Sequence, residues 1–247
     1  MLDDFLLYMA VGFAAQMIDG AIGMAYGVTA SSVLLSAGVS PATTSACVHA
    51  AEVFTTGASG MAHWRLGNFD RRLVLRLLVP GVIGGALGAY VLANLPGEMF
   101  RPWISAYLLG LGLVILWKAL RPPRRRTELP GYVAPLGFFG GMLDAIGGGG
   151  WGPLVTSTLL GGGTAARTTI GSVNIAEFFV TLAISATFVA TIGLSLWPIV
   201  AGLVVGGVIA APFAAVATKH LPDRVLMVMV GIVVVLLSCR NLLTSLG

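Results

Sequence analysis

The stretch MLDAIGGGGWGP, residues 142–153, contains one carboxylate, four consecutive glycines, a tryptophan and a proline. Apolar sequence lies on both sides of it, so it interrupts the chain where a helix is expected to continue. Glycine and proline are the residue types least compatible with a helix interior. The stretch therefore predicts a break between two helices, and the meaning of that break depends on its surroundings.

The surroundings are those of a membrane protein. Of the 247 residues, 57% are hydrophobic and only 10% are charged, and the mean hydropathy is +0.93. A soluble domain carries about 25% charged residues. Apolar segments of membrane-spanning length follow one another, which is the signal of transmembrane helices. The N-terminus has no basic region, so we expect no cleaved signal peptide, and two cysteines in apolar surroundings indicate neither a disulfide framework nor a metal cluster. The composition predicts an all-α polytopic membrane protein.

The glycine run has a partner 125 residues earlier in the chain. The segment GFAAQMIDGAIGMAYG (12–27) aligns with GFFGGMLDAIGGGGWG (137–152), and the alignment continues without a gap to residues 58 and 183. It contains 18 identities in 47 positions, including buried acids and paired threonines that chance similarity between apolar helices would not match. The chain is therefore predicted to be an internal duplication.

The charges of the loops indicate how the two halves are oriented. The loop 63–72 is basic whereas its counterpart 190–198 is uncharged, and the loop 93–101 is nearly neutral whereas 219–224 is basic. The linker 118–128 is the most basic segment of all. Because basic loops face the cytoplasm, equivalent loops lie on opposite sides of the membrane. This predicts inverted repeats with both termini outside: a first repeat at 1–120, a cytoplasmic linker at 121–131 and a second repeat at 132–247.

The inversion predicts the shape of the glycine-rich segments. Segment 132–163 must enter and leave the membrane on the same side, and it is too short for two crossings of about 20 residues each. We therefore expect a re-entrant, broken helical hairpin with the glycines near its tip, and the same hairpin from the opposite side at 5–38. Each repeat would add three transmembrane helices, at about 41–62, 71–94, 100–119, 165–188, 196–218 and 224–243. Eight ordinary spans in parallel repeats are the alternative.

The hairpin tip is a candidate anion site. Irregular backbone at membrane depth is tolerated only where protein buries it or water reaches it. The glycines at 147–150 leave backbone N–H groups unobstructed by side chains, and a helix is expected to restart at Trp151 with Pro153 in its first turn. Such a helix start attracts anions, and broken helices in inverted repeats bind substrate in secondary transporters. Close packing of helices is the alternative role for the glycines.

Four acids lie in apolar segments: Asp19, Glu52, Asp144 and Glu177. An ionised group at the centre of a bilayer costs about 3 kcal/mol or more, so each is a candidate functional residue. One role is to carry protons, since a desolvated carboxylate can alternate between neutral and charged forms. The other is to cap hairpin amides and join the halves. Both roles remain open for the two aspartates, whereas the glutamates favour proton or ligand coupling.

Further polar residues accompany the glutamates. Ser45, His49, Glu52 and Thr56 form one helix stripe, its counterpart is Asn174, Glu177 and Thr181, and each stripe is expected to face its own hairpin. His49 fits either helix packing or proton transfer. Arg167 fits either an anion ligand or an anchor at the cytoplasmic interface.

The duplicated hairpin GFAAQMIDGAIG and GFFGGMLDAIGG, the Thr-Thr pairs that follow and the loop HWRLGNFD resemble the sulfite exporter TauE/SafE family over nearly the whole chain. The resemblance implies a multi-pass protein of a bacterial-type inner membrane that transports sulfite, sulfonates such as sulfoacetate, or other small organic anions. Carried over by position, it implies that the substrate-binding residues are Gly20, Gly23, Thr43, Thr44, Gly147, Gly148, Gly149, Gly150, Thr168 and Thr169. Trp151, at the helix restart, and Arg167 are the other candidate substrate-binding residues.

Four acids around an anion are unfavourable unless they are protonated, bonded to amides or balanced by Arg167. A proton-coupled anion carrier meets this condition. The alternative is a divalent metal cation transporter that uses the buried acids and His49 as ligands. The run GGGGWGP lacks the Gly-Lys-Ser/Thr ending of a nucleotide-binding loop, so we expect no ATP-driven transport, no enzyme activity and no cofactor. The expected partners are a small anion, a coupling proton and the lipid bilayer, with no nucleic acid and with a homodimer as one option for the oligomer.

Overall fold

The computed structural model describes residues 2–22, 24–120, 131–162, 164–193, 197–220 and 223–246, and the side chains of most of them. Almost all of these residues are helical, and none of them forms a strand, as predicted. The helices are α1 (Leu2–Ile22), α2 (Tyr26–Ser36), α3 (Pro41–Arg65), α4 (Arg71–Asn94), α5 (Gly97–Ala119), α6 (Val133–Gly147), α7 (Ser157–Gly161), α8 (Ala166–Ile192), α9 (Trp197–His220) and α10 (Asp223–Leu246), with a π-helical turn (Trp151–Thr156) leading into α7.

Several helices are long and apolar enough to cross a membrane. In the described residues these are Arg71–Asn94, Met99–Ala119, Thr168–Ile192 and Met227–Thr244. The predicted spans correspond to α3, α4, α5, α8, α9 and α10, with bounds that agree to within a few residues. Helix α3 has 25 residues but is less apolar than the other predicted spans, because it carries the polar stripe. The protein is therefore a multi-pass membrane protein.

Two helix starts follow directly from local sequence. Ser40 precedes α3, and its hydroxyl accepts a hydrogen bond from the N–H of Thr43 while proline occupies the first helical position. Asp70 precedes α4, and its carboxylate accepts from the N–H groups of Arg72 at 2.7 Å and Leu73 at 3.2 Å. These caps satisfy donors that a helix start would otherwise leave unpaired.

The segment after the linker is a hairpin. Gly148, Gly149 and Gly150 have φ of 69°, 152° and 159°, a region that side chains disfavour. The chain reverses there, and at its far end a Cβ on Gly162 would lie 2.7 Å from the Tyr132 hydroxyl. Both ends of the hairpin therefore meet, as the hypothesis of a re-entrant segment requires; residue 163 lies outside the described residues.

The contacts between helices are similar in the two repeats of the sequence. Helix α1 packs on α9 as its counterpart α6 packs on α4, and α3 packs on α9 as α8 packs on α4. The equivalent helices α3 and α8 contact each other, with Gly57 against Phe178 and Gly60 against Asn174, so they run antiparallel. Antiparallel contact between equivalent helices is what inverted repeats require, while the orientation of the halves in the membrane remains a prediction.

Glycines on α4 and α9 provide the close packing of these pairs. A Cβ on Gly84 would overlap the carbonyl of Phe138, and one on Gly206 would overlap the carbonyl of Met9. Small residues let helix backbones approach in a membrane, where burial of apolar surface gives little driving force. These glycines are packing residues.

The inverted arrangement predicts the location of the C-terminus. In a variant with Cys47 and Cys239 replaced by alanine, a cysteine added after residue 247 should react with a membrane-impermeant maleimide from the outside. A cysteine at position 127 in the basic linker is the matched control and should react only from the cytoplasmic side. Labelling of the C-terminal cysteine from the cytoplasm alone would contradict the inversion.

Candidate functional site

The tips of the two hairpins meet inside the protein. A Cβ on Gly27 would lie 2.7 Å from the Cα of Gly149, and a Cβ on Gly152 would lie 2.9 Å from the Cβ of Met24. The backbones of Gly27 and Gly149 touch because neither residue carries a side chain. The glycine run therefore has a packing role, which was the alternative to its role as an anion site.

Asp144 accepts hydrogen bonds from most of the backbone amides that were predicted to bind an anion. The N–H groups of Gly148 and Gly149 donate to the Asp144 carbonyl, and the N–H of Trp151 donates to its carboxylate at 2.9 Å. A carboxylate of the chain itself thus sits at the start of the next helix, where an external anion would bind. The expectation that several glycine amides are free was wrong; of this turn, Gly150 N–H alone makes no hydrogen bond among the described residues.

The first hairpin has the same cap. The Asp19 carboxylate accepts a hydrogen bond from the N–H of Tyr26 at 3.2 Å, and these two residues correspond to Asp144 and Trp151 at the offset of 125. Both aspartates therefore hold the restart of a broken helix. This geometry favours the structural role for Asp19, whereas Asp144 has a further partner.

That partner is His49 on α3. Its Nε2 lies 3.1 Å from Oδ2 of Asp144, and the hydroxyl of Ser45, one turn earlier, donates to the Ala145 carbonyl at 2.5 Å. Ser45 and His49 thus contact the hairpin of the other half. The expectation that this stripe faces its own hairpin was wrong for these two residues, because α3 packs between the two halves.

A hydrogen bond between His49 and Asp144 requires a shared proton. The Nδ1 atom of His49 lies 2.8 Å from the Ser45 carbonyl, which can only accept, so Nδ1 is the protonated nitrogen. The Nε2 atom must then either donate to an ionised Asp144, as part of an imidazolium, or accept from a protonated Asp144. Both forms hold one proton more than a neutral histidine beside a carboxylate. Both residues are buried: His49 is 0% exposed and Asp144 is 2% exposed.

Glu52 lies one turn further along α3. A Cβ on Gly27 would lie 2.8 Å from its Oε1 atom, and its carboxylate accepts from the Gly27 N–H. Its Oε2 atom is buried without a hydrogen-bond partner in the described structure and lies 4.0 Å from Nε2 of His49. Glu52 therefore lies between its own hairpin and the contact of His49 with Asp144 of the other half.

The four carboxylates form one electrostatic cluster. Glu52 interacts with Asp19, Asp144 and Glu177, and Glu177 interacts with both aspartates. Glu177 is half-buried on α8, where Thr181 donates to its carbonyl as Thr56 does to that of Glu52. In the described part of the chain, no three His, Cys, Asp or Glu side chains form a group that could hold a metal ion, so the alternative of a metal carrier gains no support here.

The threonine pairs bond locally. Thr168 donates to the Ala165 carbonyl and Thr169 to the Thr164 hydroxyl, both in the first turn of α8. Thr43 lies in the cap of α3, and Thr44 is buried with a hydroxyl that has no partner among the described residues. Thr43, Thr168 and Thr169 thus make local contacts in the first turn of a helix.

Of four further predicted residues, the structure describes some and not others. Asn174, which corresponds to His49, donates to the Ile170 carbonyl of its own helix at 2.9 Å. Gly23 lies outside the described residues, as does the side chain of Arg167; Gly20 belongs to α1. The proposed ligand role of Arg167 stays a prediction.

Comparison with known proteins identifies the family. The profile of the family described as sulfite exporter TauE/SafE matches residues 8–241. The chain belongs to the sulfite exporter TauE/SafE family. One TauE/SafE-like relative, the probable membrane transporter protein YtnM of Bacillus subtilis (strain 168), is 40% identical over 249 residues, which cover 97% of this chain and 83% of the relative. No solved structure matches. This TauE/SafE member is a membrane transporter.

Two contacts at the hairpin tips were absent from the sequence prediction. The Ser31 hydroxyl on α2 donates to the carbonyl of Gly148, which ties the first hairpin to the second. Tyr107 on α5 lies against Gly147 and Gly150. A hydroxyl in an otherwise apolar span is a weak signal for both residues, but their partners are distant in the chain and no local pattern indicates them.

Proposed function

We propose that the protein is a proton-coupled secondary transporter of small sulfur-containing or organic anions, with its substrate site beside the hairpin tips and no enzymatic activity. The observation that supports this proposal is the buried contact between His49 and Asp144, two titratable side chains 3.1 Å apart where the two halves meet. A transporter that alternates access must change contacts of this kind, because its two repeats move against each other around the site.

The acid cluster is compatible with an anionic substrate when protons accompany it. An ionised carboxylate at membrane depth is costly, and a bound anion beside several of them would add repulsion. Protonation of Glu52, which has an unpaired oxygen, removes a negative charge from the same cluster. Anion binding and proton binding therefore favour each other, which is the thermodynamic basis of coupled transport.

Family membership supports a small anion as the substrate. The family description refers to sulfite export, and the relative from Bacillus subtilis is described only as a probable membrane transporter. The aspartate caps reduce the number of free amides, so we assign the anion to the part of the glycine turn that Asp144 leaves open, at Gly150.

The experiment is a transport screen on the purified protein in proteoliposomes with an imposed pH gradient. The panel is sulfite, sulfoacetate, ethanesulfonate, thiosulfate, taurine, lactate and manganese(II), with protein-free liposomes as the control. At least one anion should accumulate, and dissipating the pH gradient with a protonophore should abolish that accumulation. Accumulation of manganese(II) and of none of the anions would contradict the proposal in favour of a metal carrier.

A further inference from the structure

Each half of the protein contributes one helix to the packing of the other half. Helix α4 of the first repeat packs on α6 and α8 of the second, and α9 of the second repeat packs on α1 and α3 of the first. Two bodies result: α1, α2, α3 and α9 form the first body, and α4, α6, the π-helical turn, α7 and α8 form the second body. The helices α5 and α10 pack on each other. The packed bodies therefore differ from the repeats of the sequence by an exchange of α4 and α9.

Contacts between backbones hold the two exchanged helices in place. A Cβ on Gly141 of α6 would overlap the carbonyl of Gly81 on α4, and a Cβ on Gly12 of α1 would overlap the carbonyl of Leu203 on α9. Small residues allow helices in a membrane to approach this closely. A backbone in such a contact cannot move aside as a side chain can, so each exchanged helix is fixed to the body on which it packs.

The contact between the two bodies is less close over most of its length. It consists of α3 against α8 and of the hairpin tips, which touch each other closely over a few residues. A Cβ on Gly57 of α3 would lie 3.2 Å from the ring of Phe178, and a Cβ on Gly60 would lie 3.4 Å from the Cα of Ile175. Packed helices with contacts of this kind can slide by small amounts, which is the basis of shear motion.

The chain crosses between the bodies at two equivalent glycines. Gly67 follows α3 and Gly193 follows α8, and the two lie 126 residues apart, close to the offset of the repeats. Their φ angles are 65° and 73°, and a Cβ on either glycine would meet no atom within 4 Å. A glycine with open space around it can absorb a large change in φ and ψ. Both crossings therefore have the properties of a hinge.

The loop after Gly67 is attached to the second body. The N–H of Asp70 donates to the Ser172 hydroxyl on α8 at 2.8 Å, and that hydroxyl donates to the Asp70 carbonyl at 3.4 Å. A Cβ on Gly171 of α8 would overlap the carbonyl of Asn68. The loop from Asn68 to Asp70 is therefore held to α8, which leaves Gly67 as the point between the two bodies.

We propose that transport moves these two bodies against each other as rigid units, with Gly67 and Gly193 as the hinges. The contact of α3 with α8 slides, while α4 stays on α8 and α9 stays on α3. This motion changes the contacts at the hairpin tips, because each body carries one of the two tips. The inference requires that the protein is a transporter, as its family shows, and does not depend on which substrate it carries.

The first test compares two disulfides that each join a glycine position to an isoleucine position of α8, in protein without Cys47 and Cys239. Gly60→Cys with Ile175→Cys links the two bodies. Gly85→Cys with Ile184→Cys links α4 to α8 within the second body, and is the matched control. A Cβ on Gly85 would lie 2.9 Å from the Cγ1 of Ile184, so both pairs are close enough for a disulfide.

Counterflow of radiolabelled sulfoacetate in proteoliposomes is measured after oxidation and again after reduction, and mass spectrometry verifies the disulfides. Oxidation should abolish exchange in the pair that links α3 to α8, and reduction should restore it. Oxidation of the pair that links α4 to α8 should leave exchange unchanged. Exchange that continues with α3 linked to α8, or that stops with α4 linked to α8, would overturn the inference. Should the wild type transport manganese(II) and no anion, the proposed function fails, and the same comparison is made with manganese(II).

The second test replaces each hinge glycine with alanine. Gly38→Ala is the matched control, because Gly38 has a φ of 89° and open space around it but lies between α2 and α3 of one body. All three variants place a side chain at positive φ, so their melting temperatures should fall alike. Exchange should slow severalfold in Gly67→Ala and in Gly193→Ala and should keep the wild-type rate in Gly38→Ala. Equal rates in the three variants would overturn the inference.

Discussion

Replacing Glu52 with glutamine is expected to abolish proton-driven accumulation of the anion while exchange of anion for anion across the membrane persists. Glutamine keeps the size and most hydrogen bonds of the side chain but cannot take up and release a proton. Glu52 is buried, contacts Gly27 through one oxygen, and has a second oxygen without a partner near His49. Net uptake against a gradient needs proton movement, whereas exchange does not.

The measurement compares uptake of radiolabelled sulfoacetate into proteoliposomes under a pH gradient with its counterflow at equal pH. Glu177→Gln, at the equivalent position of the other half, should lose accumulation as well. Asp144→Asn is the contrast: it weakens the cap on Trp151 and the contact with His49, so thermal stability and both activities should fall together. Sustained accumulation in the double variant of Glu52 and Glu177 would remove the glutamates from the mechanism.

Replacing Gly149 with alanine is expected to prevent the hairpin tips from meeting and to abolish folded protein. The φ of Gly149 is 152°, and the added Cβ would overlap the backbone of Gly27 and Val28 in the opposite hairpin. A side chain in a disfavoured backbone region costs on the order of 1–3 kcal/mol. Overlap with backbone atoms adds to this, since a backbone cannot move aside as a side chain can.

Size-exclusion chromatography and a thermal melt of the detergent-solubilised protein measure the effect. Gly110→Ala is the matched control, because a Cβ at Gly110 on α5 would meet no atom within 4 Å, and alanine is a better helix residue than glycine by about 1 kcal/mol. That variant should elute and melt like the wild type or slightly better. A Gly149→Ala protein that melts at the wild-type temperature would contradict the contact between the tips.

The sequence predicts most of the fold because the fold depends on features that repeat. The break at residues 147–150, the duplicated aspartates and the lengths of the apolar segments identify the hairpins and the spans, and α4 occupies the residues predicted for it. The charge of the loops predicts the inversion, with which the antiparallel contact of α3 and α8 agrees. These signals are local or periodic, so they can be detected without a structure.

The site is less predictable because its contacts join residues distant in the chain. His49 and Asp144 are 95 residues apart, and Ser31 and Gly148 are 117 apart. No periodicity indicates that α3 contacts the hairpin of the other half. The number of free amides at the predicted anion site was overestimated for a related reason. A carboxylate next to a glycine turn can bind the same amides as a substrate, and the sequence does not show which amides the carboxylate binds.

The most direct test of coupled transport measures protons in proteoliposomes that contain a trapped pH-sensitive dye and no imposed pH gradient. Ethanesulfonate or sulfoacetate is added outside; a sulfonate stays ionised at neutral pH, so the substrate's sulfonate group does not itself carry protons across the membrane. We predict that inward movement of the anion acidifies the lumen, in wild-type protein but not in Glu52→Gln. Anion uptake that leaves the luminal pH constant would contradict proton coupling.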